Sequence, residues 1–339
     1  ADGYPTMAAH PGGAPANFLA AVTKFGGKTA LLGKVGTDTF GRLLTGTLEK
    51  AGIETRGIVA SSDVFTTLAF VTLDEHGDRE FAFSRKPGAD TQLRFSELEL
   101  SLIDDTQAFH FGTLSLTDEP ARATTYRAVA YAKERGKLIT FDPNLRKPLW
   151  KDLEAAKEQM LWGLSQADVV KISDEEVEFL FGLDVQAGAA HILKEFGVKL
   201  TLEHVTEGAL IVNELVRANV PLAVGPTFGQ PSKIELKNKS WETPGILNRA
   251  GCHVSIITDS PVTEQKHLRF CAAMAVNSGM DPCEAFRAIT IYPAEHIGVA
   301  DRVGTLEVGK DADVVLTDGD LFQLSTRILA TYINGKKVK

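Results

Sequence analysis

The sequence predicts an α/β fold with a mostly parallel sheet, and three observations lead there. Short apolar runs alternate with amphipathic stretches along nearly the whole chain, which is the rhythm of βα units. Apolar residues make up 44% and charged residues 24% of the 339, ample material for a buried core. At about 100–200 residues per domain, that length predicts roughly two domains.

The elements follow in chain order. Thr29–Val35 reads as a buried strand. Asp38–Ala51 reads as a helix, with Thr37 or Asp38 as its N-cap and Gly52 closing it. Thr66–Leu73 and Glu80–Ser84 read as strands around the polar turn Asp74–Asp78, a hairpin foreign to a pure βα repeat and so assigned to a small flap. Ala108–Phe111, Leu138–Phe141 and Val169–Ile172 are short apolar strands, with helices at Pro120–Arg135 and Leu153–Ser165. Beyond about residue 190 come strands at Leu200–His204, Leu222–Gly225 and Val254–Thr258, with helices at Gly208–Ala218, Glu264–Ser278 and Pro282–Ile289. The last of these opens with Asp281 as N-cap, Pro282 at the first helical position and Glu284 at the third. The tail is β-like: Asp313–Leu316, Ile328–Ile333 and the hairpin dipeptide Asn334-Gly335.

Charge and composition exclude several functions. The net charge is −8, which gives no electrostatic footprint for nucleic acid or an anionic membrane. No apolar run approaches the roughly 20 residues of a membrane span. The three cysteines, Cys252, Cys271 and Cys283, include no CxxC pair and make no disulfide framework. The opening Ala1-Asp2-Gly3-Tyr4-Pro5 is no signal peptide, so the expected compartment is the cytoplasm. Gly26-Gly27-Lys28-Thr29 looks like the end of a P-loop, but Val22 stands where its first glycine belongs. Asn238-Lys239-Ser240 is a glycosylation triplet that a cytoplasmic chain does not use, and Gly88-Ala89-Asp90 is a loop triplet that signals nothing alone.

Four segments of the first half carry chemistry. Gly12-Gly13-Ala14-Pro15-Ala16-Asn17 opens a helix, where two glycines admit a ligand close to the backbone and Asn17 can both donate and accept, as a polyol requires. Gly33-Lys34-Val35-Gly36-Thr37-Asp38-Thr39-Phe40-Gly41, Phe83-Ser84-Arg85-Lys86 and Phe141-Asp142-Pro143-Asn144-Leu145-Arg146 follow in turn. Each alone reads as turn or capping chemistry. In this order and spacing, residues 11–190 closely resemble the ribokinase-like (PfkB) sugar kinases, fructokinases above all. The resemblance implies a three-layer α/β core with a small β lid at about residues 53–90. It implies that Gly12, Gly13 and Asn17 hold the sugar, that Arg85 comes off the lid beside it, and that Asp142, Asn144 and Arg146 border the cleft near the phosphates. Lys171 and Glu176 would lie on the nucleotide side, with ATP and Mg²⁺ as cofactors, a small-molecule sugar as partner and a homodimer as an open assembly. Phosphoryl transfer needs a base and a preorganised anion site. The family takes both from a Gly-Ala-Gly-Asp turn, and nothing after residue 90 reads that way. The family's first strand, ahead of Gly12, is also not found in the sequence.

From about residue 190 the character changes. Thr201–Gly208, Val224-Gly225-Pro226, Ser232-Lys233, Thr243–Leu247, Ile257–Pro261, Gly304–Val315 and Ile333–Lys336 resemble the last part of a metal-dependent amidohydrolase. That resemblance implies βα units of a (β/α)8 barrel, then a small C-terminal β-sandwich segment. His204 and Asp259 would end two barrel strands and bind a divalent metal such as Zn²⁺, with Asp259 also taking a proton from the bound water. The family's HxH pair is missing from the eight histidines.

The switch falls within residues 190–200, where both families have a helix leading into a strand, so the whole looks like a chimera joined at a matched element. The expected organisation is an incomplete sugar-kinase-like domain at 1–195, barrel-like βα units at 196–299 and a sandwich-like tail at 300–339. Three functions compete: an ATP-dependent, fructokinase-like kinase acting on a hexose hydroxyl and impaired by the missing turn; a metal-dependent amidohydrolase cleaving an amide; and an inactive chimera that keeps weak sugar binding.

Overall fold

A computed structural model describes residues 7–73, 79–196, 201–228, 236–260 and 262–338. The predicted flap turn Asp74–Asp78, the segment Ser232-Lys233, the end of the 190–200 switch and the first five residues lie outside the described residues. The chain divides into two compact units, 1–198 and 199–339.

In the first unit, helix α1 (Ala14–Lys24) leads to strand β1 (Gly33–Gly36), helix α2 (Thr39–Lys50) and strand β2 (Ile58–Ser61). β1 and β2 pair in parallel, Gly33 opposite Ile58 and Gly36 opposite Ser61. The strand predicted at Thr29–Val35 begins later, because Ala30 makes only a single bridge, to Glu54. Residues 53–61 therefore belong to this ladder rather than to the lid. β3 (Leu68–Leu73) and β4 (Arg79–Ser84) form an antiparallel hairpin within the segment expected as a lid.

Asp38 explains the glycine-rich segment around it. Its Oδ1 accepts from Phe40 N at 2.9 Å and Gly41 N at 3.0 Å, capping α2. Its Oδ2 accepts from both the backbone N–H and the hydroxyl of Thr66, each at 2.9 Å, just ahead of the lid. Burial pushes the Asp38 carboxyl up, but the hydrogen bonds from Thr66, Gly41 and Phe40 outweigh it and hold the group below its ordinary value. Glycine is required at Gly41, where a Cβ would stand 1.9 Å from the Gly36 carbonyl.

The second ladder is the core of the unit. Helix α3 (Ser101–Asp105) precedes β5 (Ala108–Gly112), α4 (Ala121–Glu134), β6 (Leu138–Asp142), α5 (Leu153–Gln166) and β7 (Val169–Val170). The strands run parallel in the order β5-β6-β7. β7 is shorter than predicted, since only Val169 and Val170 pair with β6. Alternation sends Phe111, Ile139 and Phe141 to one face, where they are buried with Ala128, Val129 and Ala132 of α4 and Leu164 of α5. Phe111 stacks on Phe141 at 4.7 Å and meets Trp162 edge-on at 5.6 Å. The other face carries His110, Thr140 and Asp142, and there the Phe18 ring of α1 lies 5.1 Å from His110. Helices thus cover both faces. Helices α6 (Asp174–Phe181) and α7 (Val185–Phe196) follow.

The second unit has helix α8 (Val212–Ala218), strand β8 (Leu222–Val224), helix α9 (Thr243–Arg249) and strand β9 (Val254–Ile256). β8 and β9 pair in parallel, and Leu202 adds a single bridge to Leu222. The strand predicted at Leu200–His204 is reduced to that bridge among the described residues. The helix predicted from Gly208 is a 3₁₀ turn to Ile211 before α8 begins. Helices α10 (Leu268–Asn277), α11 (Pro282–Arg287) and α12 (Ile291–His296) complete the helical part. Asp281 caps α11 as predicted, accepting from Cys283 N and Glu284 N. The tail is one antiparallel sheet of β10 (Val314–Thr317), β11 (Ile328–Ile333) and β12 (Lys336–Lys337), turned at Asn334-Gly335 with φ of 50° and 72°. Among the described residues, the parallel strands of this unit do not close a barrel and the tail forms one layer rather than a sandwich. Among the described residues, two paired strands with Leu222, Val224, Val254 and Ile256 buried make an open sheet.

Two stability outcomes follow. Ala normally improves a helix position over Gly by about 1 kcal/mol. At Gly163 of α5, however, the new Cβ would stand 2.3 Å from the Phe141 ring, and overpacking costs about 1–3 kcal/mol. Gly163→Ala should therefore lower the urea midpoint, and a raised midpoint would show that the ring has room. Asp38→Ala removes a cap and the tie to Thr66 together, so a loss of about 2 kcal/mol is expected in the same measurement, with Asp38→Asn losing less.

Candidate functional site

Ligands of open parallel sheets sit beyond the carboxyl ends of the strands. In the first unit β6 ends at Asp142, with Gly112 opposite it on β5. Oδ1 of Asp142 is buried and has no hydrogen-bond partner. Leaving such an acceptor unmade costs about 1–3 kcal/mol, so the atom is one that a ligand or water would satisfy. Asn144, two residues on, sits in the left-handed region at φ 45°, where Asn is tolerated. Thr113 donates to the Pro143 carbonyl from both its N–H (3.2 Å) and its hydroxyl (2.5 Å), tying this loop to the end of β5. Arg146 donates to the Leu145 carbonyl at 3.2 Å.

α1 approaches the same sheet face through Phe18. Gly13 is its N-cap residue, at φ 128°, and donates no side chain; a Cβ at Gly12 or Gly13 would meet nothing within 4 Å. Asn17, one residue before Phe18, is exposed, and its N–H closes the first turn on the Gly13 carbonyl at 2.9 Å. The sheet face that carries Asp142 is therefore the face that carries the helix of Gly12, Gly13 and Asn17.

Two expected site residues are placed differently. Arg85, at the end of the lid, is 8% exposed. Its Nε and one Nη bond Asp90 Oδ2 at 2.8 and 2.5 Å, and its remaining bonds go to Thr117 Oγ1 and the Leu114 carbonyl, both at 2.7 Å. The guanidinium fixes the base of the lid to the 113–117 turn and is not presented open to a ligand. Glu176 is likewise taken up internally. Its Oε2 accepts from Ser173 N at 3.0 Å in a reciprocal cap of α6, and its Oε1 accepts from Leu145 N at 2.7 Å. It thus positions the loop of Asn144 and Arg146. Lys171 is exposed, with its backbone N–H on the Phe141 carbonyl. The partner role of Asp90 was illegible in a lone Gly-Ala-Asp triplet; the signal was an acidic residue five places after a lid arginine.

Two surface hollows lie elsewhere. One, of about 320 Å³, is lined by Thr37, Asp38, Ser61, Asp63 and Phe65; the other, of about 430 Å³, runs along α2. Both are at β1 and β2, and neither touches Gly12, Asn17 or Asp142. The unpartnered carboxylate oxygen locates the candidate site more directly than an empty surface hollow does.

In the second unit, His204 and Asp259 come together. His204 Nε2 lies 3.4 Å from Asp259 Oδ1, both half-exposed and both at positive φ, 56° and 48°. Among the described residues no group of three or more His, Cys, Asp or Glu is placed to hold a metal. Zinc sites take three or four protein ligands, so this pair does not fit the ion that the sequence suggested. Glu203, the neighbour of His204, is instead held by His296 Nε2 at 3.2 Å; that bond keeps its carboxyl below the ordinary value against the pull of burial. No helix among the described residues is long and apolar enough to cross a membrane.

Known proteins resemble the chain in two overlapping stretches. The model of the pfkB family carbohydrate kinases fits residues 4–221, and that of the amidohydrolase family fits residues 165–338. Fructokinase-2 of Solanum lycopersicum is 50% identical over 172 residues, which cover 51% of this chain and 52% of that protein. The chain thus spans about half the length of the curated relatives it matches. A crystal structure of fructokinase with bound ATP from Xylella fastidiosa is 28% identical with a TM-score of 0.51, covering 86% of this chain and 88% of that one. The fold alone is shared with fructokinase from Vibrio cholerae O395, at 24% identity and a TM-score of 0.54 over 89% of this chain and 94% of that one. By these matches, and with the ribokinase-like α/β fold they share, the chain belongs to the pfkB family of carbohydrate kinases over residues 4–221 and to the amidohydrolase family over residues 165–338.

Proposed function

We propose that the chain binds a hexose of the fructose class at the carboxyl end of β5 and β6, and that its ATP-dependent phosphoryl transfer to a hexose hydroxyl is slow. The observation that carries this reading is the buried, unpartnered Oδ1 of Asp142 on the sheet face covered by α1. A carboxylate oxygen there suits a sugar hydroxyl, which donates one hydrogen bond and accepts others. Gly12 and Gly13 leave the backbone open, and Asn17 supplies donor and acceptor together. Asn144 and Arg146 extend the rim, and Lys171 lies toward the nucleotide. Mg²⁺ enters such chemistry with the nucleotide, its shell mostly phosphate and water. The slow step follows from the sequence, which holds no Gly-Ala-Gly-Asp turn after residue 90. General-base help is worth about 10²–10⁴ in rate.

On this reading residues 1–195 are an incomplete sugar-kinase-like domain, residues 196–299 derive from amidohydrolase βα units and residues 300–339 from its tail, joined as a chimera within 190–200. The overlap of the two family matches at 165–221 supports a joint at an element both families share. A cytoplasmic, homodimeric protein accords with the kinase half.

A second reading has its own observation, the 3.4 Å approach of His204 to Asp259. Under it the second unit retains part of a metal-dependent amidohydrolase site.

Calorimetry with fructose should give saturable heat that Asn17→Ala abolishes, and a coupled assay with ATP-Mg²⁺ should show turnover about 10²-fold or more below an intact fructokinase. No heat with fructose ends the sugar reading; turnover at the rate of an intact enzyme ends the impairment. Elemental analysis of the purified chain should find no stoichiometric zinc, iron or manganese, and a bound ion at one per chain would revive the amidohydrolase reading.

A further inference from the structure

His110 meets α1 on the sheet face that also carries Asp142, and no part of the reading above uses it. Its Nδ1 lies 2.9 Å from Thr140 Oγ1, the residue directly opposite it on β6. Thr140 and Asp142 share that face by alternation, so the ring and the carboxylate lie on the same side of the sheet. The Phe18 ring covers the imidazole from α1 at 5.1 Å. One side chain therefore touches the residue next to Asn17 and the strand that delivers Asp142. We propose that His110 is a positioning residue of the hexose site, and that its proton decides whether Asp142 meets the sugar as a free acceptor or is drawn into an imidazolium–carboxylate pair.

The surroundings support this division. Asp142 Oδ1 has no other partner. Burial pushes the His110 imidazole below its ordinary value, and the Asp142 carboxylate partly opposes it. Among the described residues, Asp142 is the one charged group that acts on the ring. α1 brings Phe18, and its only charged side chain is Lys24 at its far end. The 113–116 turn carries no titratable residue. The charged residues of α4, among them Arg127 and Lys133, belong to the helix packed on the Phe111 side of the sheet. At neutral pH the ring is uncharged and Asp142 is free to accept a hydroxyl. As pH falls and His110 takes a proton, the carboxylate gains a cationic partner and is less available to the sugar.

The inference rests on the hexose reading, and one measurement is independent of it. The imidazole of His110 is followed by NMR in the sugar-free full chain from about pH 8 to about pH 5, its signal assigned by its loss in His110→Gln. Asp142→Asn should lower the His110 midpoint further, because the carboxylate is what holds it up. An unchanged midpoint would overturn the pairing whatever the ligand. Fructose calorimetry over the same range should show affinity falling several-fold in the wild type as His110 gains its proton. His110→Gln, which offers an amide to Thr140 and cannot titrate, should bind fructose with a flat profile over this range. The same pH dependence in His110→Gln would sink the proposal, and so would fructose binding by the wild type that does not change with pH. No fructose binding at any pH would refute the sugar role, while a shifted midpoint in Asp142→Asn would then show the pair standing without it.

Discussion

The first unit depends on the strict alternation of side chains along β5 and β6. Odd positions deliver Phe109, Phe111, Ile139 and Phe141 to one side, and even positions deliver His110, Thr140 and Asp142 to the other. The aromatic side is the source of stability. Each buried ring removes about 150–250 Å² from water, and at about 25 cal/mol per Å² that is several kcal/mol per ring. The polar side is a cost by comparison, since an unpartnered buried acceptor is unfavourable by about 1–3 kcal/mol. The packing of Phe111 against Phe141 and Trp162 is large enough to hold an unsatisfied carboxylate oxygen at a strand end. A one-residue slip of β6 would exchange the two sides and bury the carboxylate among the rings.

Around this core the chain uses its charges as struts. Asp38 joins the start of α2 to Thr66, Arg85 joins the end of the lid to the 113–117 turn, and Glu176 joins α6 to Leu145. Each is more than a pairwise ion contact. In every case the partners include backbone groups, which fix direction as well as distance. Asp38 has four donors on two oxygens, so its ionised form is favoured despite partial burial. The consequence for the site is that the mobile-looking parts, lid base and strand-end loop, are anchored by internal bonds, and the ligand-facing groups are the few left over.

Much of this was legible in the sequence. Alternation and turn chemistry located β6, β11, α5 and the Asp281 cap within a residue or two, because each is decided by local rules. The pairing of β5 with β6 then turns Phe-His-Phe on one strand and Thr-Phe-Asp on the next into a ring face and a polar face. What could not be read was partnership across distance. Whether Arg85 meets a sugar or meets Asp90 depends on a bend between residues 85 and 90 that no periodicity encodes. Glu176 carried two compatible meanings, helix cap and ligand contact, and the cap won because Ser173 lies three residues ahead of it. Among the described residues, the predicted strand at Leu200–His204 is a single bridge for another long-range reason: a strand is only as long as its neighbour, and β8 offers three residues.

The same limit explains the second unit. Sequence reasoning named His204 and Asp259 as companions, and the fold sets them 3.4 Å apart. A metal centre needs further donors aimed at the same point, and strand geometry works against supplying them locally. Leu202 faces the buried side with Leu222, so Glu203 faces the opposite side, where His296 of α12 takes its carboxylate. That carboxylate is already engaged by His296 and adds no third donor to the pair. Additional ligands have to come from other strand ends, and an open sheet of two paired strands brings few of them to one point. The number of parallel strands that converge, rather than the chemistry of any one residue, sets whether a strand-end His and Asp become a metal site or remain an isolated pair.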